Sequence, residues 1–409
     1  MDGKFREMVT RREFMKTTTV IAGGLTVGAP GLLRNVLAQD DGEVIKAVGL
    51  VPLTRAITWF GEAVAQGTDD YFKMINEAGG IKGKKLELEV ADSQYLVDVG
   101  IAQFRRIMAK KPKPKFVFSG ETGLTKAITR VIEQEYPGEV IYLGLSQSEE
   151  LWAPKKHPFN FVMGPTYPDE GRACFRWIKE LGAKNVVVVR SDGAWGRDPM
   201  DAIREIAPKL GINILEEVIA KVGAVDVTSQ VLRIRRLKPD CVFMHGYLHE
   251  TPARIVKTMK EYGMSTKETP VVMTSWSTNR KFIDSAQEAG QDVYGINHVH
   301  FWWEQDRPGI KQIVDFNKKH HPKVDYRIVD YIRAWLCALV AVEGLKRADK
   351  LTGEGIKSAI ESITDYSTGG LSPDLNLKNH KLTEYTTLYQ VKDGELKTIK
   401  DIYGGTTSE

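Results

Sequence analysis

Three polar side chains in a row, Ser146-Gln147-Ser148, stand where a strand pattern gives way to a helical one. A turn of that kind directs free backbone N–H groups at an anion. The plainer reading of either serine is a helix N-cap. A second polar stretch, Ser119-Gly120-Glu121-Thr122-Gly123, superficially resembles a phosphate loop. It lacks the Gly-Lys-Ser/Thr ending, since Thr125-Lys126 stand in reverse order, and nucleotide binding is rejected. Large aromatics recur at similar places: Trp59 and Phe60, Trp195, and Tyr247 each follow a strand pattern in a loop, where a binding residue belongs. Trp276 lies in Thr274-Ser275-Trp276-Ser277, a stretch without a carboxylate. Phe301-Trp302-Trp303 reads either as a pocket or hinge wall or as packing. Hydroxyls and aromatic faces without a nucleophile–base pair suit binding better than turnover.

Other chemistries find little support. The sequence has no G-x-S-x-G elbow, no H-E-x-x-H and no G-x-G-x-x-G fingerprint, so no cofactor is expected. His245 and His249 are four apart, but Gly246 lies between them at a strand end, so a zinc pair is not expected. His298/His300 and His320/His321 lack ligand spacing and are expected at the surface or in loops. Cys174, Cys241 and Cys337 are too few for a disulfide scaffold and read as buried thiols, with one disulfide left open.

The elements that would position these residues alternate. A strand at 44–51 is followed by a helix at about 61–78, a strand at 86–90, a helix at 99–109, a strand from 116, a helix at 125–135 and a strand at 140–143. The rhythm restarts after Pro165: helices at 169–181, 199–210, 228–237 and 251–262 alternate with strands at 185–190, 212–219, 241–245 and 271–273. Such alternation predicts parallel sheets covered by helices. Two units of similar size in 409 residues predict two lobes with a cleft between them.

The first 38 residues read as an address. Arg11-Arg12 precede a weakly apolar run to Leu33, and Val36-Leu37-Ala38 offers small residues for cleavage after Ala38. That is a twin-arginine export signal over residues 1–38, and periplasmic location is expected. The run is broken by Gly23, Gly24, Gly28 and Pro30, a poor membrane span, and Ala334 to Leu345 is too short for one. The formal charge is +4; six basic against three acidic side chains in the first 38 residues leave 51 against 50 in the rest. A near-neutral mature chain gives no electrostatic reason to expect nucleic-acid binding.

Four segments carry a resemblance. Ile75 to Leu86 (INEAGGIKGKKL), Tyr142 to Leu151 (YLGLSQSEEL), Asp192 to Arg197 (DGAWGR) and Phe243 to Tyr247 (FMHGY) resemble, in order, branched-chain amino-acid-binding proteins. Those are the receptors of periplasmic ABC importers. The resemblance implies an α/β, type I periplasmic-binding-protein fold: two doubly wound parallel-sheet lobes joined by a three-crossover hinge. Lobe 1 would be 42–165 plus 299–366, and lobe 2 would be 166–298 plus 367–409. It also implies a monomer that captures a small molecule and presents it to importer permease subunits, with no enzymatic step. The alternatives are a sensory receptor module presenting its closed form to a signalling partner, or a secreted α/β enzyme.

In that family Ser146, Gln147 and Ser148 match the positions that grip a ligand carboxylate. Thr122 would supply a further hydroxyl after a one-residue shift. Trp59 and Phe60 match the pocket-lining aromatic of the first loop, and Trp195 and Tyr247 match covering aromatics of lobe 2. Trp276 stands in the region of the acid that pairs with an amino-acid ammonium. Either another acid replaces it, with Glu121 and Asp192 as candidates, or the ligand has no α-ammonium.

Overall fold

The computed structural model describes residues 44–55 and 57–406. The expected export signal over 1–38 lies outside them. The first sheet begins with β1 (Val44–Val51), whose apolar run is buried nearly throughout, as a strand covered on both faces requires. There follow α1 (Thr58–Glu77), β2 (Lys85–Asp92), α2 (Val97–Met108), β3 (Phe116–Ser119), α3 (Thr122–Glu135), β4 (Ile141–Gly144) and β5 (Asn160–Val162). All five strands are parallel, in the order β2-β1-β3-β4-β5.

The second sheet starts after α4 (Tyr167–Glu180). Its elements are β6 (Asn185–Arg190), α5 (Ala194–Arg197), α6 (Met200–Lys209), β7 (Asn213–Ile219), α7 (Thr228–Leu237), β8 (Cys241–His245), α8 (Glu250–Glu261), β9 (Val271–Met273), α9 (Arg280–Ala286) and β10 (Tyr294–Asn297). Three helices then intervene: α10 (Pro308–His320), α11 (Val329–Arg347) and α12 (Gly353–Glu361). The α11 helix is almost wholly buried and packs along α1, so this segment lies with the first sheet. The chain ends in the hairpin β11 (Tyr385–Lys392) and β12 (Glu395–Tyr403). The order is β12-β11-β10-β9-β8-β6-β7; β7 to β10 are parallel and the hairpin adds an antiparallel edge. The second sheet is therefore mixed rather than wholly parallel.

Each sheet has a topological switch point, between β1 and β3 and between β6 and β8, where crossovers diverge to opposite sides. Ligands of open α/β sheets sit outside the carboxyl ends of the strands at such points. All three cysteines are buried free thiols. Among the described residues no helix is long and apolar enough to cross a membrane.

Candidate functional site

The loop after β1 is short, and α1 begins earlier than expected, so Trp59 and Phe60 occupy its first turn rather than a loop. Phe60 is buried, with its ring 6.0 Å from that of Trp276 at 61°. Trp59 lies 6.2 Å from the His249 ring, and the Lys281 ammonium stands 3.7 Å over its face. These edge-to-face and cation–π contacts join the start of α1 to residues of the second-sheet unit.

Thr122 opens α3 and shares a 2.9 Å hydrogen bond with the Ser146 hydroxyl. Ser146, Gln147 and Ser148 are all buried, but they lead into a single 3₁₀ turn, Glu149–Leu151, and not an α-helix. The expected helix N-terminus is absent there because Trp152 and the Ala153-Pro154 pair end the turn at once. The Ser148 hydroxyl donates to Asp198 at 2.6 Å. Gln147 spans both sheets: its Nε2 donates to the Pro165 carbonyl and to Glu170 Oε1, each at 2.9 Å, and its Oε1 accepts from Ser275 Oγ at 3.4 Å. Burial pushes the Glu170 carboxyl up to about 7 against these donors.

On the second sheet, Trp195 sits in α5, 6.3 Å from Tyr167 and from His245, and 6.5 Å from Trp276 at 89°. Tyr247 stands apart: it is fully buried and its hydroxyl donates to the Ala220 carbonyl at 3.0 Å. Trp276 is 8% exposed and carries the Arg333 guanidinium 4.4 Å over its ring. Arg333 comes from α11; it donates to Asp330 at 2.8 Å, to the Ser275 carbonyl at 3.3 Å and to Asn297 Oδ1 at 3.2 Å. The structure thus joins Trp59, Phe60, Trp195 and Trp276 in one aromatic seam. It pairs Thr122 with Ser146 and places Gln147 and Ser148 in polar links between the two sheets.

Several residues here were not singled out from the sequence: Arg333, Asp330, Lys281, Tyr167 and Asp198; His249 was considered there only as a metal ligand. One signal was visible, since Asp330 and Arg333 are the only charged residues between Val329 and Val342. Of the two candidate acids, Glu121 accepts from Ser93 near the exit of β2, and Asp192 is exposed. His298 and His300 stand in the loop after β10, as expected, but are buried there rather than at the surface. Phe301, Trp302 and Trp303 pack in that loop, with Phe301 and Trp303 stacked at 4.7 Å. A surface hollow of about 490 Å³ lies at the opposite end of the first sheet, beside Val44, Lys46 and Lys115, away from all these loops.

His245 sits in this seam with both ring nitrogens engaged, Nε2 with the Trp195 carbonyl and Nδ1 with Thr274 Oγ1, each at 3.0 Å. The carbonyl can only accept, so Nε2 carries the proton and Nδ1 accepts from the threonine. Burial pulls the His245 pKa from 6.5 down to about 3. Between those values the unfolded chain binds more protons, so stability falls as pH drops through that window. Urea unfolding between pH 7 and pH 4.5 should cost the native chain about 2–3 kcal/mol more than His245→Gln. Equal losses in both chains would remove His245 as the cause.

A family model described as periplasmic binding protein matches residues 44–395. The "Leu/Ile/Val-binding protein homolog 3" of Brucella melitensis is 24% identical over 216 residues, 53% of this chain and 57% of that relative. The chain thus spans little more than half the length of that relative. Among solved structures, a branched chain amino acid ABC transporter protein from Thermus thermophilus with bound valine superposes with a TM-score of 0.76 at 20% identity. The match covers 89% of this chain and 96% of that one. An R. palustris ABC transporter solute binding protein in complex with benzoate gives 0.73 at 15% identity, covering 89% and 98%.

Proposed function

The chain belongs to the periplasmic binding protein family, and from that premise we propose that it is the extracytoplasmic solute-binding component of an ABC importer. In this reading the lobes are residues 42–165 plus 299–366 and 166–298 plus 367–409, and they close on the ligand about three crossovers. The observation that carries it is the aromatic seam: Phe60 in the first turn of α1 meets Trp276 from the β9 loop at 6.0 Å, beyond the carboxyl ends of strands of both sheets. Trp59, Phe60, Trp195 and Trp276 line the ligand space, with Thr122, Ser146 and Ser148 at its polar end. Gln147 acts from the hinge, and Tyr247 holds the β8 loop from below. The ligand is an amino acid or a related small carboxylate or aromatic compound, in keeping with relatives whose ligands include valine and benzoate. The protein acts as a monomer after export through its twin-arginine signal and cleavage behind Ala38, and it delivers the ligand to permease subunits without chemical conversion. Opening and closing follow population shift: ligand favours the closed form, which the importer selects.

Thermal unfolding of the full chain against amino acids, carboxylates and amides tests this. A ligand at about 100 times its Kd should add about 2.7 kcal/mol of stability. Phe60→Ala should weaken that ligand about tenfold or more, as loss of a buried aromatic contact does. Unfolding that no compound shifts would sink the solute-binding reading.

A further inference from the structure

We propose that Arg333, together with the indole N–H groups of Trp276 and Trp195, selects an organic acid lacking an amine as the occupant of the cleft; the inference rests on the solute-binding reading above. Guanidinium and indole nitrogens donate hydrogen bonds and never accept them. Three such atoms on this wall, Arg333 Nε, Trp276 Nε1 and Trp195 Nε1, are covered and have no acceptor among the described residues. Trp276 links them, with the Arg333 guanidinium 4.4 Å over its ring and the Trp195 ring 6.5 Å away. Arg333 is 2% exposed, so its charge and its spare donor are both withheld from bulk water. Buried donors without partners are costly; the His298 imidazole, which feels the Arg333 charge and whose nitrogens are also unpartnered, offers one neutral acceptor, so this wall is short of anionic acceptors.

The acids nearby point the same way. Asp330 accepts from Arg333, Glu170 from Gln147 and from the Ser275 N–H, and Asp198 from Ser148 and the Glu149 N–H. An α-ammonium brings three further donors to a wall that already holds three buried donors without partners among the described residues. A carboxylate supplies the missing acceptors and a charge that the guanidinium answers. A neutral amide of the same shape keeps one carbonyl but loses that charge and adds donors.

Calorimetric titration of the full chain, stripped by unfolding and refolding, would compare benzoate and hexanoate with benzamide, hexanamide, phenylalanine and leucine. One of the acids should bind at least about tenfold tighter than its amide and than either amino acid, the margin of one charge-assisted contact. Arg333→Gln should collapse the acid-over-amide ratio to about unity. Trp276→Phe keeps the ring, loses the N–H and should weaken the acid about fivefold. Should Arg333→Gln fail to fold, the Trp276→Phe result and the native acid-over-amide ratio decide. Tightest binding of an amino acid, or a ratio untouched by Arg333→Gln, overturns the selection while leaving the solute-binding reading intact. No binding by any of the six compounds overturns both.

Discussion

Asp169→Ala will lower the stability of the chain by about 3–5 kcal/mol, the cost of stripping a buried ion pair of one partner. Asp169 is 1% exposed and has four jobs at the start of α4. Its Oδ2 accepts from the Thr166 N–H at 2.9 Å and hydroxyl at 2.8 Å, completing a capping box with the reciprocal bond to its own N–H. It also pairs with Arg172 at 2.5 Å and with the Lys381 ammonium at 2.8 Å. Lys381 is itself 4% exposed, in a segment that bridges to Val162 beside β5. Removing the carboxylate leaves two sheltered cations, one of them with Glu384 at 2.9 Å as its remaining ion-pair partner. Lys381→Met should cost less, about 1–2 kcal/mol, because Asp169 keeps Arg172 and the cap. Urea unfolding of the three chains at pH 7 would measure both; an Asp169→Ala loss under about 1 kcal/mol would show that the network relaxes into water.

The candidate site gathers residues from three separate parts of the chain, and that explains which parts of it the sequence disclosed. The βα alternation was legible because strands such as Asn185–Arg190 and Cys241–His245 are apolar runs but for their ends, and their limits fall where the pattern set them. Strands Asn160–Val162 and Tyr294–Asn297 were not, since three or four residues show no period and include Asn or Gly. The hairpin strands flank Asp393-Gly394, a turn dipeptide, but their antiparallel attachment to β10 is a tertiary fact.

Local pattern also reached the aromatics, since Trp195 and Trp276 each follow a strand end. It could not show that their rings meet at 6.5 Å, nor that the guanidinium over Trp276 comes from a helix more than fifty residues onward. The local setting of the hydroxyls was less legible, for one cause. Ser146 and Ser148 were read against a coming helix, whereas their bonds run sideways to Thr122 and Asp198. Propensity reports the next few residues along the chain and says nothing of the neighbour across a sheet edge.

Gly246→Ala is expected to cost about 2–5 kcal/mol and to weaken ligand binding beyond what that loss alone explains. Gly246 has φ +85°, a left-handed conformation that costs an L-residue about 1–2 kcal/mol. A Cβ there would stand 2.6 Å from Ser191 Oγ and 2.7 Å from Gly196 Cα. Overpacking of that kind adds about 1–3 kcal/mol. The backbone of α5 must move away from the end of β8 to make room. The bond between His245 Nε2 and the Trp195 carbonyl, 3.0 Å long, crosses that same junction. Trp195 therefore shifts against Trp276, and the seam loses its fit. Gly182→Ala is the control, with a similar φ of +80° and nothing within 4 Å of an added Cβ. It should show the backbone cost alone, about 1–2 kcal/mol, with affinity unchanged. Unfolding and calorimetry on both variants, at a temperature where each is folded, separate the two effects. Equal losses of stability and equal affinities would mean that the glycine contact between β8 and α5 does not set the position of Trp195.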